Sequence, residues 1–226
     1  MRPVFADAVA RRQGLMLAAA ILAITAVATI AATLIDVLPL RMAVGVLALG
    51  SVLVLLALSG ISVQRGVLGQ AASPGPRTVL AWAGTLLATV AGPLITAKLV
   101  VAVIALVSLA LVPADGAGAF AGVGIAWLVL PMALLVTGTA ALKLPAVAVG
   151  LPLDTREAIR LADGREWSLL PLGLVLTTAV FLVVLGVGAA GFGSPLGLVA
   201  VALGIALFLP VSAAVARRYR SLQPAP

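Results

Sequence analysis

The feature that most constrains this chain is its series of apolar segments, each about as long as a membrane is thick. Of its 226 residues, 63% are hydrophobic and only 9% are charged, whereas a soluble domain carries about 25% charged residues. A helix of about 20 apolar residues crosses the ~30 Å hydrocarbon core of a bilayer. The sequence therefore predicts an all-α fold, a polytopic membrane helix bundle.

Six apolar segments are predicted to cross the membrane within a single integral membrane domain, residues 1–226. Polar turns rich in Gly, Pro and Ser separate them. Two further segments are predicted to lie at the membrane surface as short amphipathic elbow helices, over about residues 78–92 and 154–163. The spans cover about residues 14–35, 42–63, 93–112, 121–142, 169–190 and 196–216.

The third apolar region, from Thr78 to Val112, is too long for one untilted crossing. At its Gly92–Pro93 pair a helix kinks or ends, because proline lacks an amide donor and its ring clashes with the preceding turn. Two interpretations stay open. Residues 78–92 form a separate interfacial helix with Trp82 at headgroup depth, or the whole region is one long, tilted and kinked helix.

The basic residues predict the orientation of the chain. Placing both termini and the segments 64–77 and 143–168 on one side of the membrane gathers twelve basic residues there and leaves only Arg41 on the other side. Basic residues favour the cytoplasmic side, so both termini are expected in the cytoplasm. The twelve are Arg2, Arg11, Arg12, Arg65, Arg77, Lys143, Arg156, Arg160, Arg165, Arg217, Arg218 and Arg220.

The composition also indicates the type of organism and the expected class of binding partner. Twelve Arg against two Lys, with abundant Ala, Gly and Val, is typical of a high-GC bacterial genome, so we expect a bacterial inner (plasma) membrane. The net charge is +7, but the charges lie between apolar segments and form no basic face of a soluble domain. Nucleic acid is therefore not an expected partner. Membrane lipids are, and a membrane-protein partner or a second copy is left open.

The segment between the fourth and fifth spans carries seven charged residues in the thirteen positions from Asp154 to Glu166. Asp154 followed by Glu157 has the spacing of a capping box, which starts a helix. Gly164 is a typical residue just after a helix end. The pattern predicts a helix of two to three turns at the membrane surface.

The faces of this helix differ in polarity. Arg156 and Arg160 lie four residues apart and share one face, where Glu157 is a predicted ion-pair partner of Arg160. Ile159 and Ala162 fall on another face and are expected against lipid or the bundle. Such an amphipathic helix suits a membrane surface.

Five side chains are predicted to contact lipid headgroups. Trp167 follows the charged helix as an interfacial anchor, and Lys143 ends the fourth span. Lys98 lies about 7–8 Å beyond Pro93, within reach of the cytoplasmic face for a snorkelling side chain; a role in transport is the alternative, since a charge inside a span is a functional hypothesis. The five are Lys98, Lys143, Arg156, Arg160 and Trp167.

The residue types argue against catalysis. The chain has no Cys and no His, which removes the thiolate nucleophile and the commonest general base and metal ligand. The carboxylates between Asp154 and Glu166 alternate with Arg residues, which compete with a bound cation. No catalytic residue, cofactor or metal site is predicted, and the chain is not expected to be an enzyme.

One stretch resembles a known family. The residues ALKLPAVAVGLPLDTREAIRLADGREWSLLPLGLVL, Ala141 to Leu176, resemble a segment of bacterial six-helix inner-membrane proteins related to the glycerophosphodiester phosphodiesterase membrane-domain group. SVQRGVLGQ, Ser62 to Gln70, resembles the loop after the second span of that group. The chain departs from the pattern at Ala162, Asp163 and Arg165. The matching positions are Leu144–Gly150, Glu157, Ala158, Arg160, Leu161, Gly164 and Trp167.

The resemblance implies a six-span membrane fold over nearly the whole chain. It implies no enzymatic activity, because the phosphodiesterase name belongs to a soluble domain fused to some relatives. The first functional hypothesis is a non-catalytic inner-membrane scaffold or regulator in contact with lipids. The second is a small transporter or channel component, in which polar groups lie near the midplane around broken helices; the candidates are Pro93 with Lys98, and Pro131 with Thr137 and Thr139. A polar cavity joining these groups would favour transport, and a closely packed bundle the first hypothesis.

Overall fold

The computed structural model describes the backbone of residues 2–70, 74–111, 117–151 and 153–223, and the side chains of 12–70, 74–103, 129–151 and 153–223. Every regular element in these ranges is a helix, so the predicted all-α fold is confirmed. The long helices are α1 (Arg2–Leu34), α2 (Leu38–Leu68), α3 (Pro76–Leu111), α4 (Ala117–Ala140), α7 (Leu170–Gly191) and α8 (Leu196–Leu222). The short ones are α5 (Lys143–Ala148), α6 (Thr155–Ala162) and a 3₁₀ turn (Glu166–Leu169).

Among the described residues, six helical segments are long and apolar enough to cross a membrane. Their outer surfaces are apolar as well: Leu47, Leu99 and Phe181 are all more than half exposed. An exterior of this kind is unfavourable in water and suits the hydrocarbon of a bilayer. The chain is a multi-pass membrane protein by length and composition.

Glycine allows the helices to pack backbone to backbone. A Cβ atom on Gly186 of α7 would lie 2.7 Å from the carbonyl oxygen of Gly197 on α8. A Cβ atom on Gly173 would overlap the carbonyl oxygen of Leu134, where α7 crosses α4. Small residues at helix crossings drive association in membranes, where helices gain little from apolar burial alone.

Most of the predicted basic residues gather at one end of the bundle. Arg65, near the end of α2, donates to the carbonyl oxygen of Ala148 at 2.6 Å. Arg218, near the end of α8, donates to Ser168 in the 3₁₀ turn. We call this the basic end. Its described basic residues are Arg12, Arg65, Arg77, Lys143, Arg156, Arg160, Arg165, Arg217, Arg218 and Arg220.

The opposite end is formed by the turn from α1 to α2 and the turn from α7 to α8. A Cβ atom on Gly193 would lie 3.0 Å from the side chain of Thr33, so the two turns meet. Arg41 lies there with its guanidinium 3.8 Å from Asp36. The side chains of Arg2 and Arg11 lie outside the described residues.

Of the two interpretations left open for the third apolar region, the structure shows the single long helix. α3 is a single helix from Pro76 to Leu111 with Pro93 inside it, so residues 78–92 are not a separate interfacial helix. Proline is tolerated within membrane helices because neighbouring groups satisfy the carbonyl that it leaves free. Trp82 is fully buried and does not reach headgroups. Val112, the predicted end of this span, lies outside the described residues.

Two helices also extend further at the basic end than the apolar pattern predicts. α2 continues through Leu68, and Gly69 ends it with a left-handed φ of 76°. α8 continues to Leu222. The extra turns carry polar residues that the bundle buries, Gln64 and Tyr219, and hydropathy alone does not reveal such burial.

Candidate functional site

α3 and α4 leave a groove of about 750 Å³ between them. Ala88, Thr96 and Val136 are exposed along it, so the groove opens sideways towards the surrounding bilayer. The α4 wall is formed by Val129, Met132, Ala133, Val136 and Ala140. The α3 floor is formed by two rows of residues four apart: Ala81, Thr85, Thr89, Pro93 and Ala97, and Gly84, Ala88, Gly92, Thr96 and Val100.

The small residues of α3 explain why the groove exists. Residues four apart on a helix lie one above the other, so the two rows make a low strip along one face. A Cβ atom on Gly84 or Gly92 would meet nothing within 4 Å, unlike one on Gly173. The row from Gly84 to Val100 is about 24 Å long at the helical rise of ~1.5 Å per residue. These glycines border open space rather than another helix.

Lys143 lies at the mouth of the groove, at the basic end. Its ammonium donates a hydrogen bond of 3.0 Å to the hydroxyl of Thr155, and both residues line the groove. Lys143 begins α5 directly after α4, and Thr155 begins α6. Within the described residues, no carboxylate lies within 4.0 Å of the Lys143 ammonium. The cation is therefore left for a ligand or for solvent.

The capping box that starts α6 is confirmed. The Asp154 carboxylate accepts from the amide of Thr155 at 2.6 Å, and the Glu157 carboxylate accepts from the amide of Asp154 at 3.0 Å. The predicted ion pair of Glu157 with Arg160 is wrong, since neither residue has a salt bridge in this described segment. The box turns the carboxylate of Glu157 towards the helix start and away from Arg160.

Ala158 and Ala162 form the face of α6 that packs on the bundle. Ala158 and Ala162, four residues apart, are fully buried, whereas Ile159 is 54% exposed. Of the predicted pair, Ala162 packs on the bundle and Ile159 faces outward. Ile159 lies on the outer side with the exposed Arg156 and Arg160. An apolar side chain between two cations suits the headgroup boundary.

The five predicted headgroup contacts do not form one site. Arg156, Arg160 and Trp167 are exposed at the basic end, and Lys143 lies in the groove mouth. Lys98 is exposed on α3 but does not line the groove. It lies about 33 Å from Pro76 along the continuous helix at ~1.5 Å per residue. The predicted reach to the cytoplasmic face assumed a helix that starts at Pro93, and α3 does not start there.

Thr89 is the polar group of the groove that lacks a partner. Thr85 and Thr96 donate to the carbonyl oxygens of Ala81 and Gly92, at 2.8 and 2.9 Å. Thr89 is only 4% exposed as a residue and lines the groove. Its hydroxyl bonds to none of the described residues and is not among the fully buried polar atoms, so it is accessible from the groove. A free donor in an apolar surrounding is unfavourable until an acceptor reaches it.

The polar groups that the transport hypothesis joins are separate in the structure. Thr137 and Thr139 are buried, and each donates to a carbonyl four residues earlier on its own helix, at 2.9 and 3.0 Å. Neither lines the groove, and neither does Lys98. Pro93 is partly buried and does line the groove. Such back-bonded threonines are typical of helix packing in membranes.

Sequence reasoning missed the groove, although its signal was readable. Small residues recur every four positions from Ala81 to Ala97 and from Gly84 to Val100. Interpreting residues 78–92 as a separate helix divides this strip at Pro93 and hides its length. Thr89 has no sequence signal, because its lack of a partner is visible only once the neighbours are placed.

No protein-family model, curated protein or solved structure matches this chain. The resemblance of Ala141–Leu176 to the glycerophosphodiester phosphodiesterase membrane-domain group stays a prediction, and the membrane-bundle fold rests on the helices themselves.

Proposed function

We propose that this chain is a non-catalytic protein of the bacterial inner membrane that acts as a scaffold or regulator in the cell envelope and contacts anionic lipids through its basic end. The observation that carries the proposal is the gathering of ten described basic residues at that end, against the ion-paired Arg41 at the other and Lys98 within the span of α3. Arg156 and Arg160 are exposed there, and neither has a carboxylate partner among the described residues.

The same asymmetry supports the orientation. Basic residues at membrane boundaries favour the cytoplasmic side, and the cytoplasmic leaflet carries anionic lipids that attract them. With the basic end in the cytoplasm, α6 and Trp167 lie at headgroup level. Ile159 then enters the headgroup boundary while its arginine neighbours remain at phosphate level.

Three of the four carboxylates between Asp154 and Glu166 have structural uses that suit a non-catalytic protein. Asp154 and Glu157 form the capping box of α6. Glu166 accepts from the amide of Gly164 at 3.1 Å, which closes the turn after the same helix. Transport receives less support, because the threonines of α4 bond within their own helix.

Purification in native lipid tests the proposal. The protein is extracted with surrounding lipid into polymer-bounded nanodiscs, and the lipids and proteins that co-purify are identified by mass spectrometry. We expect anionic lipids to be enriched over the whole membrane, and the double variant Arg156→Gln with Arg160→Gln to lower that enrichment. Arg41→Gln is the matched control, because it removes a positive charge at the opposite end.

Two results would contradict the proposal. If the co-purified lipids have the same composition as the whole membrane and no other protein co-purifies, both the lipid-binding role and the scaffold role are contradicted. Solute flux in proteoliposomes that Lys98→Leu abolishes without lowering the melting temperature would favour transport. A C-terminal reporter that is active only outside the cytoplasm tests orientation, and it should remain silent.

A further inference from the structure

We propose that the groove between α3 and α4 binds one anionic phospholipid, with its phosphate at Lys143 and an acyl chain along the small residues of α3. This inference rests on the proposed function and gives it a specific site and ligand class. It combines three observations on the described residues: an open apolar groove, a cation without a carboxylate partner at its mouth, and a hydroxyl inside it that has no hydrogen-bond partner.

The shape of the groove fits an acyl chain. A volume of about 750 Å³ lies within the range of small-molecule sites, roughly 300–1,000 Å³. The strip from Gly84 to Val100 is about 24 Å long, which exceeds the depth of one leaflet, about half of the ~30 Å hydrocarbon core. Because Ala88, Gly92 and Thr96 are exposed, a lipid enters sideways from the bilayer.

The charge at the mouth fits a lipid phosphate. Lys143 is half-buried, and its described contact is with the neutral hydroxyl of Thr155. The Thr155 oxygen accepts from the ammonium, which leaves the hydroxyl proton free to donate to a phosphate oxygen. The Asp154 carboxylate occupies the amide of Thr155, so the start of α6 does not itself hold the anion. Lys143 and the Thr155 hydroxyl supply the binding groups.

Thr89 supplies the observation that is independent of shape and charge. Thr89 is only 4% exposed as a residue and lines the groove. Its hydroxyl lacks a partner among the described residues and is not one of the fully buried polar atoms, so it is accessible from the groove. A phospholipid carries ester carbonyls between its phosphate and its acyl chains. A lipid with its phosphate at Lys143 places such an acceptor inside the groove, and the hydroxyl of Thr89 donates to it.

The test measures lipid binding to the purified full chain in detergent by native mass spectrometry. The probes are phosphatidylglycerol, phosphatidylcholine and inorganic phosphate, each titrated separately. Lys143→Gln removes the charge, with Lys143→Arg as its rescue and Arg41→Gln as its control. Gly84→Leu fills the groove. Its control is Gly50→Leu, because Gly50 lies on α2, outside the groove. A Cβ atom at Gly50 also meets nothing within 4 Å.

We expect phosphatidylglycerol to bind more tightly than phosphatidylcholine, and phosphate alone to bind negligibly because it lacks an acyl chain. Lys143→Gln should weaken phosphatidylglycerol binding about fivefold, the effect of one basic residue near an anionic lipid. Thr89→Val, which keeps the shape and removes the hydroxyl, should weaken it about fivefold as well. Gly84→Leu should weaken it about tenfold or more, while Arg41→Gln and Gly50→Leu leave it unchanged.

Equal phosphatidylglycerol binding by the unaltered chain, Lys143→Gln and Gly84→Leu would overturn the groove site. If the Arg156→Gln, Arg160→Gln variant then binds less, the proposed function survives without this site. Equal binding of both lipids to the unaltered chain contradicts site and function together. If Gly84→Leu lowers the melting temperature, Ala88→Leu repeats the test at a second exposed groove position.

Discussion

The indole nitrogen of Trp82 on α3 donates a hydrogen bond of 2.9 Å to the Oε1 atom of Gln64 on α2. Both side chains are fully buried, and the Trp82 ring packs edge-on against Phe208 with centroids 6.2 Å apart. A Cβ atom on Gly60 would overlap the indole, so a glycine makes room for it. A polar pair in an apolar core is stable only while both partners are present, so this bond holds the register of α3 on α2.

The first prediction concerns this pair. Trp82→Phe removes the donor and leaves the Gln64 oxygen unpaired beside its Nε2 atom, which already lacks a partner. We expect a loss of about 1–3 kcal/mol in the free energy of unfolding, measured by denaturant titration in detergent. Gln64→Leu should cost a similar amount by orphaning the indole. The double variant should cost less than the sum of the two single changes, and strict additivity would show that the bond contributes no stability.

The second prediction compares two glycines of α7. Gly173→Ala adds a methyl group where the backbone of α4 already touches α7, at the Leu134 carbonyl. We expect a loss of about 1–3 kcal/mol, because a backbone contact relaxes poorly. Gly188→Ala is the control: it adds the same methyl group to an exposed position with nothing within 4 Å. Its melting temperature should be unchanged or higher, and equal losses for both variants would contradict the packing described for α4 and α7.

Local patterns predicted the spans and the start of α6 because both follow from nearby residues. Long apolar segments specify crossing helices whatever packs beside them. The capping box of Asp154 and Glu157 forms within four positions and needs no distant partner. The gathering of basic residues at one end was also readable, because six crossings return every Arg-rich segment to the same side.

The features that sequence reasoning missed depend on neighbours. A Gly-Pro pair such as Gly92–Pro93 often ends a helix in a soluble protein. α3 continues through this pair, because in a membrane bundle neighbouring groups satisfy the backbone carbonyl that proline leaves free. Trp82 resembles an interfacial anchor until α2 supplies Gln64 as a buried partner. α5 was not predicted, since its six residues continue the composition of the preceding span.

The third prediction concerns the cap of α6. Asp154→Ala removes the carboxylate that accepts from the amide of Thr155, and we expect a local loss of about 0.5–2 kcal/mol in helix stability. Hydrogen exchange of the α6 amides should become correspondingly faster. Asp163→Ala is the control, because it removes an exposed carboxylate with no hydrogen bond among the described contacts of α6. Unchanged exchange in Asp154→Ala would contradict a stabilising cap.

The last prediction concerns the depth of Lys98. Because the chain has no Cys, Lys98→Cys introduces a single reactive thiol without background. Lys98 lies about 33 Å beyond Pro76 along α3, roughly the thickness of the hydrocarbon core. Trp82, in the second turn of α3, bonds to Gln64 close to the end of α2. The start of α3 therefore lies near the basic end. We therefore expect the ammonium of Lys98 to reach headgroups on the side opposite the basic end.

A membrane-impermeant maleimide added outside the inner membrane of spheroplasts should label Lys98→Cys. It should label Arg220→Cys, the control at the basic end, only after the membrane is opened. Unchanged melting temperatures would show that both variants remain folded. Labelling of Lys98→Cys from the same side as Arg220→Cys would restore cytoplasmic snorkelling of Lys98, and protection from both sides would place it within the hydrocarbon. Either result would contradict the depth that the continuous α3 helix assigns to this lysine.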